Sequence, residues 1–213
     1  MQPDLLMLRI PAILLALTIH EYAHGYVAWR LGDPTAKNAG RLTFNPIAHL
    51  DIFGTLMLMF GPFGWAKPVP VNGNYFSNPK RDSIWVSLAG PASNIVLAII
   101  IGYLYRILIA IAPALLANEP VNIFFQLCIL INIGIAFFNL IPVPPLDGSH
   151  ILLGLLPNHM IPSYLNQMRF MPMVFMGMLV AEWMLHIPIF SFIMNPIFNP
   201  FRAFWYFVIF WKF

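Results

Sequence analysis

Two histidines and a glutamate stand in an apolar stretch of this chain, as His20-Glu21-Tyr22-Ala23-His24. On a helix, residues four apart lie one turn apart on one face, so His20 and His24 can both reach a single metal ion. Glu21 projects about 100° further round, beside the metal rather than on it. This is the H-E-x-x-H spacing of zinc hydrolases, in which the glutamate takes a proton from a metal-bound water. In a soluble protein so short a motif is as readily a chance match with ordinary core histidines as a metal site. Within a span of hydrocarbon-loving residues the same three side chains are costly unless they pair or bind something, which makes them a functional site by default.

A catalytic zinc takes three protein ligands and keeps an open position for water. The chain offers few further candidates, since it holds eight acidic residues and six histidines. Asp147 sits on a proline- and glycine-stiffened turn, Pro142-Val-Pro-Pro-Leu-Asp147-Gly148, just before a short apolar stretch. It is either the third ligand or a helix N-cap, a position that suits aspartate. His49 and Asp51 form a rival pair two residues apart in the first loop. His150, one turn after Asp147, could support the site or bind a substrate carbonyl. Asn94 and Asn139 lie in apolar segments, where an unpaired amide costs several kcal/mol. Asn139 could orient a substrate amide or donate to a developing oxyanion, whereas Asn132, seven residues earlier on the same face, could equally bond a neighbouring helix. Glu182 and His186, four apart, read as interfacial polarity.

The elements that must position these residues are membrane helices. Of 213 residues, 60% are apolar and 9% charged, with a mean hydropathy of +0.76. Several segments approach the ~20 apolar residues that cross a bilayer. The expected spans are about 5–29, 84–105, 121–141 and 168–185, with a fifth, kinked or partial span in the proline-interrupted tail 187–213. The first carries the motif and lacks a charged n-region and a small-residue cleavage site, so it does not read as a removable signal. The expected fold class is membrane all-α: a multi-span helical bundle with a small re-entrant β region between spans one and two, where residues 37–80 alternate short apolar runs with Gly, Pro and Asn. Residues 41–44 and 55–59 are the strand edges best suited to hold an extended peptide.

Loop charge sets the orientation. Arg30, Lys37, Arg41, Lys67, Lys80 and Arg81 lie between spans one and two, while span two continues irregularly to Pro113 and the connection from there to span three has no Lys or Arg. The positive-inside rule places the first loop in the cytosol and the N-terminus outside. His24 is six residues from Arg30, about 9 Å along a helix, so the motif lies in the cell membrane toward its cytosolic side. Span three runs inward as well and delivers Asp147 to that depth. The 11 basic residues form no run, which excludes a nucleic-acid partner. The single cysteine, Cys128, excludes an internal disulfide and a cysteine metal cluster.

Taken together, His20-Glu21-Tyr-Ala-His24, Gly90-Pro-Ala-Ser-Asn94 and Asn139-Leu-Ile-Pro-Val-Pro-Pro-Leu-Asp147-Gly148 resemble the site-2 protease family of intramembrane zinc metalloproteases. The resemblance covers residues 10–157. It implies one zinc ion per chain held by His20, His24 and Asp147, with Glu21 as catalytic base and Asn94 and Asn139 at polar positions near the site; these two, with His150 from its place one turn after Asp147, are the candidates to meet substrate or oxyanion. It also implies a metalloprotease core over 1–157 and transmembrane proteins as substrates in the lipid bilayer; residues 158–213 carry no motif of the family and are read from their apolar runs as additional membrane spans. The chain has no room for a PDZ domain between the core spans. The alternative is a non-catalytic membrane protein that binds or transports metal; a transporter should line a whole pathway with polar groups, and here they cluster at one depth.

Overall fold

The computed structural model describes residues 3–54, 57 and 64–211. Three long helices form the core: α1 (Pro3–Arg30), α2 (Pro79–Ile111) and α3 (Glu119–Leu140). All three meet one another, and small residues let them approach closely. Ala12, Ala16 and Ala28 of α1 are wholly buried, the kind of contact that drives helix association where lipid removes the hydrophobic incentive. Leu6–Arg30, Pro79–Ile111, Glu119–Leu140 and Asn158–Leu185 are each long and apolar enough to cross a membrane. Their outer faces carry large exposed apolar side chains, such as Ile100, Ile107 and Ile111 on α2. The all-α membrane fold is thus as expected.

The α2 helix starts cleanly. The Asn78 side chain accepts the Arg81 N–H, and Pro79 occupies the first turn, where its missing N–H costs nothing. The α3 helix repeats the device with Asn118 and Pro120.

After α3 the chain turns through Pro142 and Pro145 into α4 (Asp147–Leu155), which lies against α2. Two glycines allow this. A side chain at Gly148 would overlap the carbonyls of Leu140 and Ile141, and one at Gly154 would overlap Ile84. Lys80 closes the far end, donating to the Leu156 carbonyl and to Asn158 Oδ1. The turn is also tied from beyond α4, since Tyr164 of α5 (Ile161–Met168) donates its hydroxyl to Pro142 O at 3.1 Å.

The expected re-entrant β region is not shown among the described residues between α1 and α2. That segment holds one antiparallel bridge, Leu50 with Ala66, backed by the Lys67 N–H on His49 O at 2.8 Å. Residues 41–44 bend, residues 46–49 form a one-turn helix, and 52–54 are helical; residues 55, 56, 58 and 59 lie outside the described residues. The physical reason is composition: Pro46, Pro68 and Pro70 each lack the donor a ladder needs. The tail, in turn, is less broken than its prolines suggested. After α6 (Met171–Leu185), α7 (Ile189–Phe210) continues as one helix through Pro196 and Pro200.

α7 docks on the core through Ile209, which is fully buried with Ala98, Ile101, Cys128 and Ile129. A side chain on Gly102 would occupy the place of Ile209, and Arg106 donates to the Ile209 carbonyl at 3.2 Å. Gly102→Leu should therefore lower stability by about 1–3 kcal/mol, the usual cost of overpacking, measured by thermal unfolding in detergent. Gly134→Leu, which faces open space, should not.

Candidate metal centre

Three donor atoms converge between α1 and the start of α4. His20 Nε2 and His24 Nε2 are 3.0 Å apart, and Asp147 Oδ2 lies 3.1 Å from the first and 3.3 Å from the second. Four-coordinate zinc with bonds of about 2.0–2.1 Å sets its ligand atoms about 3.3 Å apart. Among the described residues this is the group of histidine, cysteine and acidic side chains that could hold a metal ion.

The hydrogen bonds around the histidines decide what faces what. The Nδ1 of His20 meets Asn94 Oδ1 at 2.7 Å, and that of His24 meets the Val86 carbonyl at 2.7 Å. A carbonyl oxygen can only accept, so both Nδ1 atoms carry the proton and both Nε2 atoms present a lone pair. The Asn94 orientation is fixed in turn. Its Nδ2 donates to Ala16 O at 3.0 Å and to Asn132 Oδ1 at 2.8 Å, and Asn132 Nδ2 donates to Cys128 O at 2.8 Å. One chain of donors thus runs from α1 through α2 to α3 and fixes the tautomer of His20. Such partners orient a ligand and raise its basicity.

Asp147 completes the set. Its Oδ2 is buried and lacks a hydrogen-bond partner. Two imidazole lone pairs and an orphaned carboxylate oxygen in one small space fit a divalent cation. Asp147 is not an N-cap: it is the first residue of α4, and no side chain caps that helix. Space for the site comes from Gly90, where a Cβ would sit 2.6 Å from His20 Nε2 and overlap His24 Nε2. Pro91 follows with no N–H for the Ser87 carbonyl, which loosens the α2 ladder in the turn where Val86 accepts His24.

Glu21 is half-buried, and its Oε2 accepts the Val69 N–H at 2.8 Å. Asn94 is fully buried, its oxygen bonds His20 and both its N–H groups are engaged by protein. Asn139 is half-buried and donates to Ile135 O at 3.0 Å. His150 is exposed and is not among the three converging groups. His49 and Asp51 do not converge on a metal position either. His49 Nε2 bonds Thr43 O at 2.9 Å and Asp51 accepts the Gly54 N–H. Glu182 accepts from Ser191 at the start of α7. Sequence reasoning did not foresee the contributions of Val86 and Val69, because both act through the backbone.

The roles of Gly90 and Asn94 can be separated. Gly90→Val should abolish zinc binding by filling the site. Asn94→Ala should weaken it about 10- to 100-fold, as loss of an orienting partner does. Metal competition titration of the purified protein measures both.

The comparisons with known proteins agree with this chemistry. The model of peptidase family M50 matches residues 106–180. YwhC of Bacillus subtilis, provisionally named a zinc metalloprotease, is 45% identical over 147 residues, 68% of this chain and 67% of its own length. Rip2 of Mycolicibacterium smegmatis, named in the same way, is 32% identical over 162 residues, 73% of this chain and 58% of its own. Rip2 of Mycobacterium tuberculosis is 33% identical over 141 residues, 63% of this chain and 52% of its own. The chain thus spans about two thirds of YwhC and somewhat more than half of either Rip2. No solved structure matches. Identity at this level, over two thirds of both chains, carries the conclusion that this chain belongs to peptidase family M50, the zinc metalloproteases of the site-2 protease type.

Proposed function

We propose that His20, His24 and Asp147 hold one zinc ion and that Glu21 is the catalytic base for hydrolysis of peptide bonds within or next to transmembrane segments. The observation that carries this is the convergence of three donor atoms within 3.3 Å of one another, with Glu21 next to a ligand. Zinc, when bound, supplies a Lewis acid that brings the pKa of a coordinated water to near 7. Glu21 takes the proton from the attacking water. The water oxygen bonds to the scissile carbonyl carbon, the C–N bond breaks, and Glu21 returns the proton to the leaving amine. Asn139 and His150 remain the groups proposed to meet substrate.

A transmembrane helix shields its own carbonyls, so a substrate must unwind locally before it can be cut. The segment between α1 and α2 is suited to lie at the membrane, with Phe44, Ile47, Ile52, Phe53 and Trp65 exposed. In this reading it enters the bilayer from the cytosolic side and offers extended backbone to the unwound stretch. Transport of metal is the weaker alternative, because the polar groups converge on one site and every Asn94 group is committed to holding it.

Glu21→Gln should retain about one zinc per chain and lower cleavage of a single-span substrate by about 100- to 10,000-fold. Asp147→Ala should lose the zinc. Metal analysis and a cleavage assay on the same preparations check both; an active Glu21→Gln enzyme contradicts the mechanism.

The orientation has its own check. A reporter inserted in residues 67–80 should be cytosolic, and one at Asn118 external. The reverse would place the metal toward the other face.

A further inference from the structure

The catalytic glutamate is held by a segment that has its own anchors. From Lys67 to Val71 the sequence reads Lys-Pro-Val-Pro-Val. Proline fixes φ at Pro68 and Pro70 and confines the residue before each to extended conformations, so four successive residues are stiff. Proline also has no N–H, which makes the Val69 amide the sole backbone donor from residue 68 to 70. That donor points at Glu21 Oε2, 2.8 Å away. A stiff segment needs only its ends fixed to place this N–H.

Both ends are fixed by buried charged side chains that follow α1. Arg41 is 7% exposed, and its guanidinium donates to Lys67 O at 2.6 Å and to Pro68 O at 3.2 Å, the two carbonyls just before Val69. Asp33 is fully buried. One of its oxygens accepts the Asn72 N–H at 2.6 Å and the other accepts the Thr35 N–H at 2.9 Å. The segment is therefore gripped at 67–68 and at 72, with the Glu21 contact between. Burying a guanidinium is expensive unless its donors are used, and here two of them converge on adjacent carbonyls in the planar geometry that distinguishes arginine from lysine.

We infer that Arg41 is a positioning residue of the reaction: with Asp33 it sets the Val69 amide against one oxygen of Glu21, so that the other oxygen is oriented to move the proton. A carboxylate on a freely rotating side chain samples several rotamers. Held through one oxygen, it keeps the second in a single place. A displacement of about 1 Å at a catalytic group can cost about 100-fold in rate. This rests on Glu21 being the catalytic base, as proposed above. It also links the loop segment 67–72 to the proton-transfer step, since any movement of that segment moves the Glu21 partner.

The test combines kinetics with a direct view of the amide. Arg41→Gln should keep one zinc per chain and lower kcat about 10- to 100-fold, with KM within about twofold. Arg41→Lys, which can reach one carbonyl at a time, should recover part of the loss. Val69→Pro removes the amide donor, and the Arg41→Gln, Val69→Pro double variant should be no slower than the slower single variant, because both act through one contact. Valine-selective nitrogen labelling reads the Val69 amide resonance without any need for activity. It should shift in Glu21→Gln and shift similarly in Arg41→Gln. Loss of zinc in Arg41→Gln, a rise in KM at unchanged kcat, additive losses, or a Val69 resonance indifferent to Arg41 would each overturn the inference. An enzyme whose Glu21→Gln variant remains active would instead sink the assignment of the base, while the amide resonance would still report whether Arg41 sets the contact.

Discussion

Two imidazole lone pairs and a carboxylate lone pair held within 3.3 Å of one another repel. In a low-dielectric interior that repulsion is barely screened. A divalent cation relieves it for all three groups at once. The rest of the core is arranged so that the three atoms cannot move apart: α1 sets the histidines one turn from each other, α2 bonds the far nitrogen of each ring, and α3 delivers the turn that starts α4 at Asp147.

The same constraint explains the buried amides. Asn94 and Asn132 stand where hydrocarbon would penalise an unpaired group by several kcal/mol, and each finds its partners inside the protein. The chain of bonds they form ends on a backbone carbonyl of α3, so the position of His20 on α1 is referred to all three core helices. Glycines serve the complementary purpose. Gly90 leaves room for the histidine nitrogens, and Gly148 lets Asp147 begin its helix against the end of α3.

How much of this was legible in the sequence depended on whether a side chain or the backbone carried the function. His20, Glu21 and His24 declare themselves by spacing, and Asp147 by depth and turn chemistry; the structure brings His20, His24 and Asp147 together. Asn94 was recognisable as an amide too costly to leave unpaired, but its bond with His20 was not. Val86 and Val69 act through a carbonyl and an N–H that every residue but proline has, so their identity gave no signal. The expected β region is not seen among the described residues, where apolar runs broken by proline resemble strands in pattern while lacking their donors. Continuity of α7 through Pro196 and Pro200 was hidden because a proline can kink a helix without ending it, and α7 is packed on α2, α3 and α6.

The central claim is that His20, His24 and Asp147 bind zinc through two ring nitrogens and a carboxylate oxygen. X-ray absorption at the zinc edge of the purified protein tests it most directly. The account predicts nitrogen and oxygen neighbours at about 2.0–2.2 Å, the outer-shell signature of two imidazoles and no sulfur. A sulfur neighbour at about 2.3 Å, which would bring in Cys128, or the signature of a single imidazole, would contradict it.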